Sequence, residues 1–157
     1  MKLNKLAGLG IASIVLFGSI GQLAINGKPA QAIKPTQTTT IAAKPKSLIS
    51  SGNFVKAEKT TTGKAKIVSS NGKRYLKFDQ NFSTGNGPDV KVILHKNSSV
   101  PANIKEGNYI TLSLIKSFNG EQTYEIPDNV NLDNYKSVGI WCEEFNATFG
   151  YASLKNA

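Results

Sequence analysis

From about residue 51 onward the chain is a series of short runs in which apolar and polar residues alternate, separated by polar turns. Alternation at period two is the mark of a half-buried strand. Gly52–Val55 reads as a leading strand. Lys64–Val68 turns Ala65 and Ile67 inward, and Tyr75–Phe78 does the same with Leu76 and Phe78. Val90–His95 sets Val90, Val92 and Leu94 on one face and Lys91, Ile93 and His95 on the other, which predicts an exposed His95 beside Lys91. Tyr109–Ile115 places Ile110, Leu112 and Leu114 inward, and Thr123–Ile126 follows. Asn71-Gly72 and Asn119-Gly120 are two-residue hairpin signals. Asp79–Asp89 and Asn97–Asn108 read as loops, and Pro127–Tyr135 as a crossover. No amphipathic helix is visible. About eight short strands with regular turns predict an all-β domain, an antiparallel β-sandwich or flattened barrel.

The final stretch, Ser137–Leu154, concentrates the unusual residues: the only Trp (Trp141), the only Cys (Cys142), and Phe145, Phe149 and Tyr151. Val138, Ile140 and Cys142 share one face, with Gly139, Trp141 and Glu143 on the other. Phe145, Ala147, Phe149 and Tyr151 form a second alternating set one residue out of step. A slip of one flips every side chain, so a bulge or tight turn is expected near Glu143–Asn146. That places Cys142 beside the irregularity, on or next to the core face.

The N-terminal segment carries a different pattern. Lys2 and Lys5 precede an apolar run from Leu6 to about Ile25, and Ala30-Gln31-Ala32 supplies the small residues of a cleavage site. Residues 1–32 read as a secretory signal peptide, with an uncleaved anchor as the alternative. Residues 33–50, with two prolines and a Thr cluster, read as a flexible linker to a domain over 51–155. The expected address is exported, periplasmic or extracellular, with no transmembrane segment after cleavage.

The chain's formal charge is +9; without Lys2, Lys5 and Lys28 of the signal segment it is +6. The densest basic group, Lys64, Lys66, Lys73, Arg74 and Lys77, is spread over two strands. With a single Arg and no run of aromatic platforms, a nucleic-acid partner is not expected. A weak attraction to anionic cell-surface polymers is the remaining electrostatic reading.

Chemistry narrows to few residues. One Cys in an exported chain cannot close an internal disulfide, so Cys142 is buried and inert, paired with another molecule, or functional. Its neighbours Glu143 and Glu144 oppose a thiolate rather than promote one. His95 is the only imidazole, so no nucleophile–base constellation and no zinc set can be assembled from sequence. Asp128–Asp133 has oxygen ligands at alternating positions but lacks the Gly and Glu of a calcium loop, and reads as turn-forming residues. Asn81-Phe82-Ser83, Asn97-Ser98-Ser99 and Asn146-Ala147-Thr148 match the glycosylation sequon. No hydrolytic or phosphoryl-transfer site is expected.

Several ordered motifs carry a family resemblance. They are Gly52-x-Phe54, Gly87-Pro88-Asp89, Gly120-Glu121-Gln122-x-Tyr124-x-Ile126-Pro127, Ser137-Val138-x-Ile140-Trp141-Cys142-x-x-Phe145 and Phe149-Gly150-x-Ala152-x-Leu154. Together they resemble the DM-thirteen domain, an extracellular module labelled an electron-transfer domain, over about Ser51–Leu154. The resemblance implies an all-β fold and a family-wide cysteine, here Cys142, with a redox role as a bare thiol or as ligand to a haem-like group. Many members carry His seven residues after the opening Gly; this chain has Lys59 there, leaving His95 as the only substitute.

Two functions follow as expectations. One is a cell-envelope redox or electron-transfer module, with Cys142 as thiol or haem ligand, Trp141 packed beside it, His95 as a second ligand and an unidentified redox partner. The other is a non-catalytic binding or structural module of the envelope, with Cys142 as core packing.

Overall fold

The computed structural model describes residues 46–157. The expected signal peptide and most of the expected linker lie outside the described residues. Among those residues no helix is long and apolar enough to cross a membrane.

Among the described residues nine strands form one antiparallel sheet, eight of them on one continuous path. They are β1 (Ser47–Lys56), β2 (Lys64–Ser70), β3 (Lys73–Phe78), β4 (Val90–His95), β5 (Tyr109–Leu114), β6 (Gln122–Ile126), β7 (Ser137–Cys142), β8 (Ala147–Ser153) and β9 (Lys155–Asn156). The order is β5-β4-β7-β8-β1-β2-β3-β6, with β9 beside β1. β1 makes the corner: Ser47–Asn53 pairs with β2, whereas Phe54–Lys56 pairs with β8. The result is a nearly closed flattened barrel. Ser47–Ser50, read from composition as linker, is therefore strand, held by the ladder to β2.

Asn71 and Gly72 both have positive φ (52° and 80°) and join β2 to β3 in the expected tight hairpin. Asn119-Gly120 does not form a hairpin between β5 and β6. Asn119 bridges Ser83, and the Gly120 N–H donates to the Phe82 carbonyl at 2.8 Å. The loop Asp79–Asp89 is thereby pinned, and Phe82, placed in a polar loop by sequence, is a core residue stacked with Phe54 and Phe78. β5 and β6 face each other without a backbone ladder. The Lys116 N–H donates to the Tyr124 hydroxyl (3.1 Å), the Ser117 N–H to Gln122 Oε1 (3.2 Å) and Gln122 Nε2 to the Ser117 carbonyl (2.8 Å).

The centre is the β4–β7 pair, in unbroken register from Val90↔Cys142 to His95↔Ser137. Every residue of β7 is buried. Val90, Val92, Leu94, Val138, Ile140 and Cys142 face the main core. The opposite face is also covered: Ile93, Trp141, Val100 and Ile104 form a second cluster under the Lys96–Asn108 loop. Both outer neighbours slip against this pair. Leu112 is an extra residue in β5 between Thr111 and Ser113, and Phe149 is an extra residue in β8 between Thr148 and Gly150. A bulge inverts the phase beyond it. Leu114, expected inward, is consequently 58% exposed while Ile115 packs on the core. Phe149 and Tyr151, expected on one face, pack on the two different clusters, and Phe145 sits exposed in the Glu143–Asn146 turn.

Candidate functional site

Cys142 ends β7 just before the tight turn. It is fully buried, with Val90 and Ala147 as its cross-strand neighbours. Its S–H donates to the Pro88 carbonyl at 3.0 Å. Gly87-Pro88 thus roofs the sulfur, and a Cβ on Gly87 would lie 2.7 Å from Phe149 Cζ. Only glycine allows the roof to descend onto the ring. The roof is fastened beyond Pro88: the Glu143 N–H donates to the Asp89 carbonyl (3.1 Å), and Lys91 pairs with both Glu143 and Asp89. Glu143, expected to act on the thiol as a free charge, is engaged by Lys91.

The outer side of the roof lines a cleft of about 280 Å³ shared by Lys59, Gly87, Pro88, Phe145, Ala147 and Phe149. Lys59 lays its stem on Gly85 and its ammonium 5.9 Å from the centre of the Phe149 ring. The position noted in sequence as Lys in place of His therefore lines the same cleft as Pro88, whose carbonyl meets Cys142. The contact of Pro88 with the thiol, and the cleft that Pro88 shares with Lys59 and Phe149, were not deducible from alternation. Their signal was the recurrence of Gly87-Pro88 and Phe149-Gly150 in the ordered motifs.

Trp141 is brought to the same strand end but to the opposite face. Its indole is buried against Tyr109 at 5.1 Å between centroids, and Nε1 donates to Asn146 Oδ1 at 3.0 Å. Asn146, at φ 45°, is the hub that sequence reasoning missed. Its Oδ1 also accepts the Ile104 N–H (3.0 Å), its Nδ2 donates to the Ile104 carbonyl (3.2 Å), and its carbonyl accepts from Asn103 Nδ2 (2.8 Å). Thr148 Oγ1 donates to the Pro101 carbonyl at 2.7 Å. The third sequon is thus spent on clamping the loop over Trp141.

His95 is not exposed: it is 1% accessible, because the Lys96–Asn108 loop folds over the face that alternation assigned to solvent. Nδ1 accepts the Asn97 N–H at 3.1 Å, so the neutral ring carries its proton on Nε2, which has no partner among the described residues. Burial pushes its pKa below the usual 6.5. His95 and Cys142 lie on opposite faces and at opposite ends of the β4–β7 register, about 16 Å apart along the strands. They cannot hold one group between them.

A haem does not fit the described residues. The sulfur is shielded and its proton is committed to Pro88. The adjoining cleft, about 280 Å³, is smaller than the roughly 300–1,000 Å³ typical of ligand pockets. Among the described residues no three His, Cys, Asp or Glu side chains are gathered as a metal set. Asn131 instead caps a short 3₁₀ turn by accepting the Asp133 N–H at 3.0 Å.

The family model described as Electron transfer DM13 matches residues 53–154. No curated protein and no solved structure matches the chain. The chain belongs to the Electron transfer DM13 family.

Proposed function

We propose, from membership of the Electron transfer DM13 family, that this chain is an exported cell-envelope redox domain whose reactive group is the bare thiol of Cys142. The observation that carries the proposal is the arrangement of the only thiol under a thin roof. Gly87-Pro88 lines the cleft, and the Pro88 carbonyl is, among the described residues, the only hydrogen-bond partner of the sulfur. In the closed form the sulfur is shielded and its S–H is engaged by the Pro88 carbonyl. Lifting Pro88 removes the acceptor and opens the sulfur toward the cleft that Lys59 also lines. Peroxide is the class of oxidant small enough for such an opening. The thiolate attacks one peroxide oxygen, the O–O bond breaks, hydroxide leaves, and sulfenic acid forms as two electrons pass from sulfur to peroxide. A partner thiol condenses with the sulfenic acid, releasing water and forming a mixed disulfide, and a second partner thiol attacks that disulfide, releasing reduced Cys142 and leaving the two partner sulfurs joined.

The second reading, a non-catalytic envelope module, is favoured by the complete burial of Cys142 in the apolar core. Peroxide treatment of the native protein, with dimedone trapping and peptide mass spectrometry, separates the two. A dimedone adduct on Cys142 in folded protein supports the redox reading. Trapping only after denaturation overturns it and leaves the structural one.

A further inference from the structure

A hollow with a lining separate from that of this thiol's cleft carries its own set of groups. It opens on the outer face of β2, β3 and β6 with a volume of about 540 Å³, and it shares no residue with the cleft above Cys142. A second hollow of about 320 Å³ adjoins it through Lys46, Lys77 and Thr123, adding Ser70 and Tyr75. The two make one elongated groove.

Its charge arrangement is costly for the fold. Lys66 and Lys77 stand directly opposite each other in the β2–β3 register. Like charges opposed across a ladder repel. On the same face Lys73 is paired with Glu125 at 2.7 Å, so a carboxylate partner is structurally available to this sheet. Among the described residues neither Lys66, Lys77 nor Lys46 has one within ion-pair distance. Asp79 and Glu121 also line the groove; one Asp79 oxygen is spent on the Lys64 N–H at 3.0 Å. The lining also includes apolar side chains, Val68, which is buried, and Leu48, which is 47% exposed. Thr123, Ser70 and the Tyr75 hydroxyl add neutral hydrogen-bonding groups.

We infer that this groove is a binding site for an acidic oligosaccharide. A chain of sugars presents an apolar ring face, neutral hydroxyls and repeated anionic groups, the three features that the groove complements along its length. Lysines supply point charges that tolerate carboxylate or sulfate. The chain's only guanidinium, Arg74, is committed to the Val130 and Pro127 carbonyls at 2.8 and 2.7 Å, so no bidentate fork for a phosphodiester faces the groove. One tyrosine is too few platforms for stacked bases. The unrelieved Lys66–Lys77 repulsion is then the stability given up for the anion site.

Calorimetric titration of the full-length protein with a hexagalacturonate, a heparin hexasaccharide, a neutral maltohexaose and a polyphosphate tests the inference. At least one acidic hexasaccharide is expected to saturate a single site and to weaken as salt is raised, with the neutral sugar silent and polyphosphate weaker. Lys66→Gln with Lys77→Gln is expected to lower that affinity about tenfold or more while leaving the thermal midpoint equal or higher. Lys96→Gln with Lys105→Gln, on the loop away from the groove, is expected to leave it unchanged. Failure of both acidic sugars to bind overturns the inference. So does an affinity indifferent to Lys66 and Lys77, and so does polyphosphate binding as tightly as the sugars.

Discussion

Acidification is expected to strain this domain first at His95. In the native state the ring is neutral, shut in by the Lys96–Asn108 loop, and Nδ1 is occupied by the Asn97 N–H. Protonation would set two N–H groups against each other and leave a charge at Nε2 with no partner among the described residues. In the unfolded chain the same ring binds a proton near pH 6.5. Because the folded pKa is depressed, the unfolded state holds the extra proton over the interval between the folded value and 6.5, so stability falls as pH falls through that window and is fully present above it. The slope is at most about 1.4 kcal/mol per pH unit. At one unit below 6.5 the loss is therefore at most about 1.4 kcal/mol. Trp141, the sole indole, lies in the cluster under the same loop, so its fluorescence reports urea unfolding directly. Unfolding curves from pH 8 to pH 5 should show the decline in the wild type and its absence in His95→Asn, whose side-chain oxygen keeps an acceptor for Asn97 without titrating. Equal slopes for the two proteins would refute the reasoning, as would a wild type that gains stability on acidification.

Three further outcomes are expected. Asn146→Ala removes three side-chain hydrogen bonds that clamp Ile104 and Trp141, and should cost about 2–4 kcal/mol with a changed Trp141 emission, measured by chemical denaturation. Gly87→Ala drives a Cβ against Phe149; a loss of about 1–3 kcal/mol should accompany faster reaction of Cys142 with a thiol reagent at native conditions. Leu114→Gln should fall within about 0.5 kcal/mol of the wild type, whereas the same change at Leu112 or Ile115, both packed on the core, should cost more; calorimetric midpoints distinguish the two.

Inner-facing positions of β2, β3, β4 and β7 were legible because alternation is unbroken there and one face meets a continuous core. Alternation failed where a single residue was inserted. Leu112 and Phe149 each invert the phase of the strand that follows, and a bulge carries no composition signal of its own in these segments. It failed again at His95, because a polar loop from elsewhere in the chain covers the second face of β4, and a loop's destination is not encoded in the strand it covers. The Phe82 packing and the rerouted Asn119-Gly120 turn have the same origin. At the candidate site, the ordered motifs marked Cys142, Gly87-Pro88 and Phe149, but only the fold reveals that the three touch through a carbonyl and a ring.

The closure between β5 and β6 is made by side chains rather than by a ladder, and this gives the barrel a place to breathe. Separating β4 from β7 requires a whole row of backbone bonds to break together. Parting Ser117 from Gln122, and Lys116 from Tyr124, requires only that two side chains swing away. The amides of Lys116 and Ser117 should therefore trade their hydrogens with solvent long before those of Ile140 or Val92. The order of exchange around the circumference would reveal the seam as the point from which the barrel unrolls.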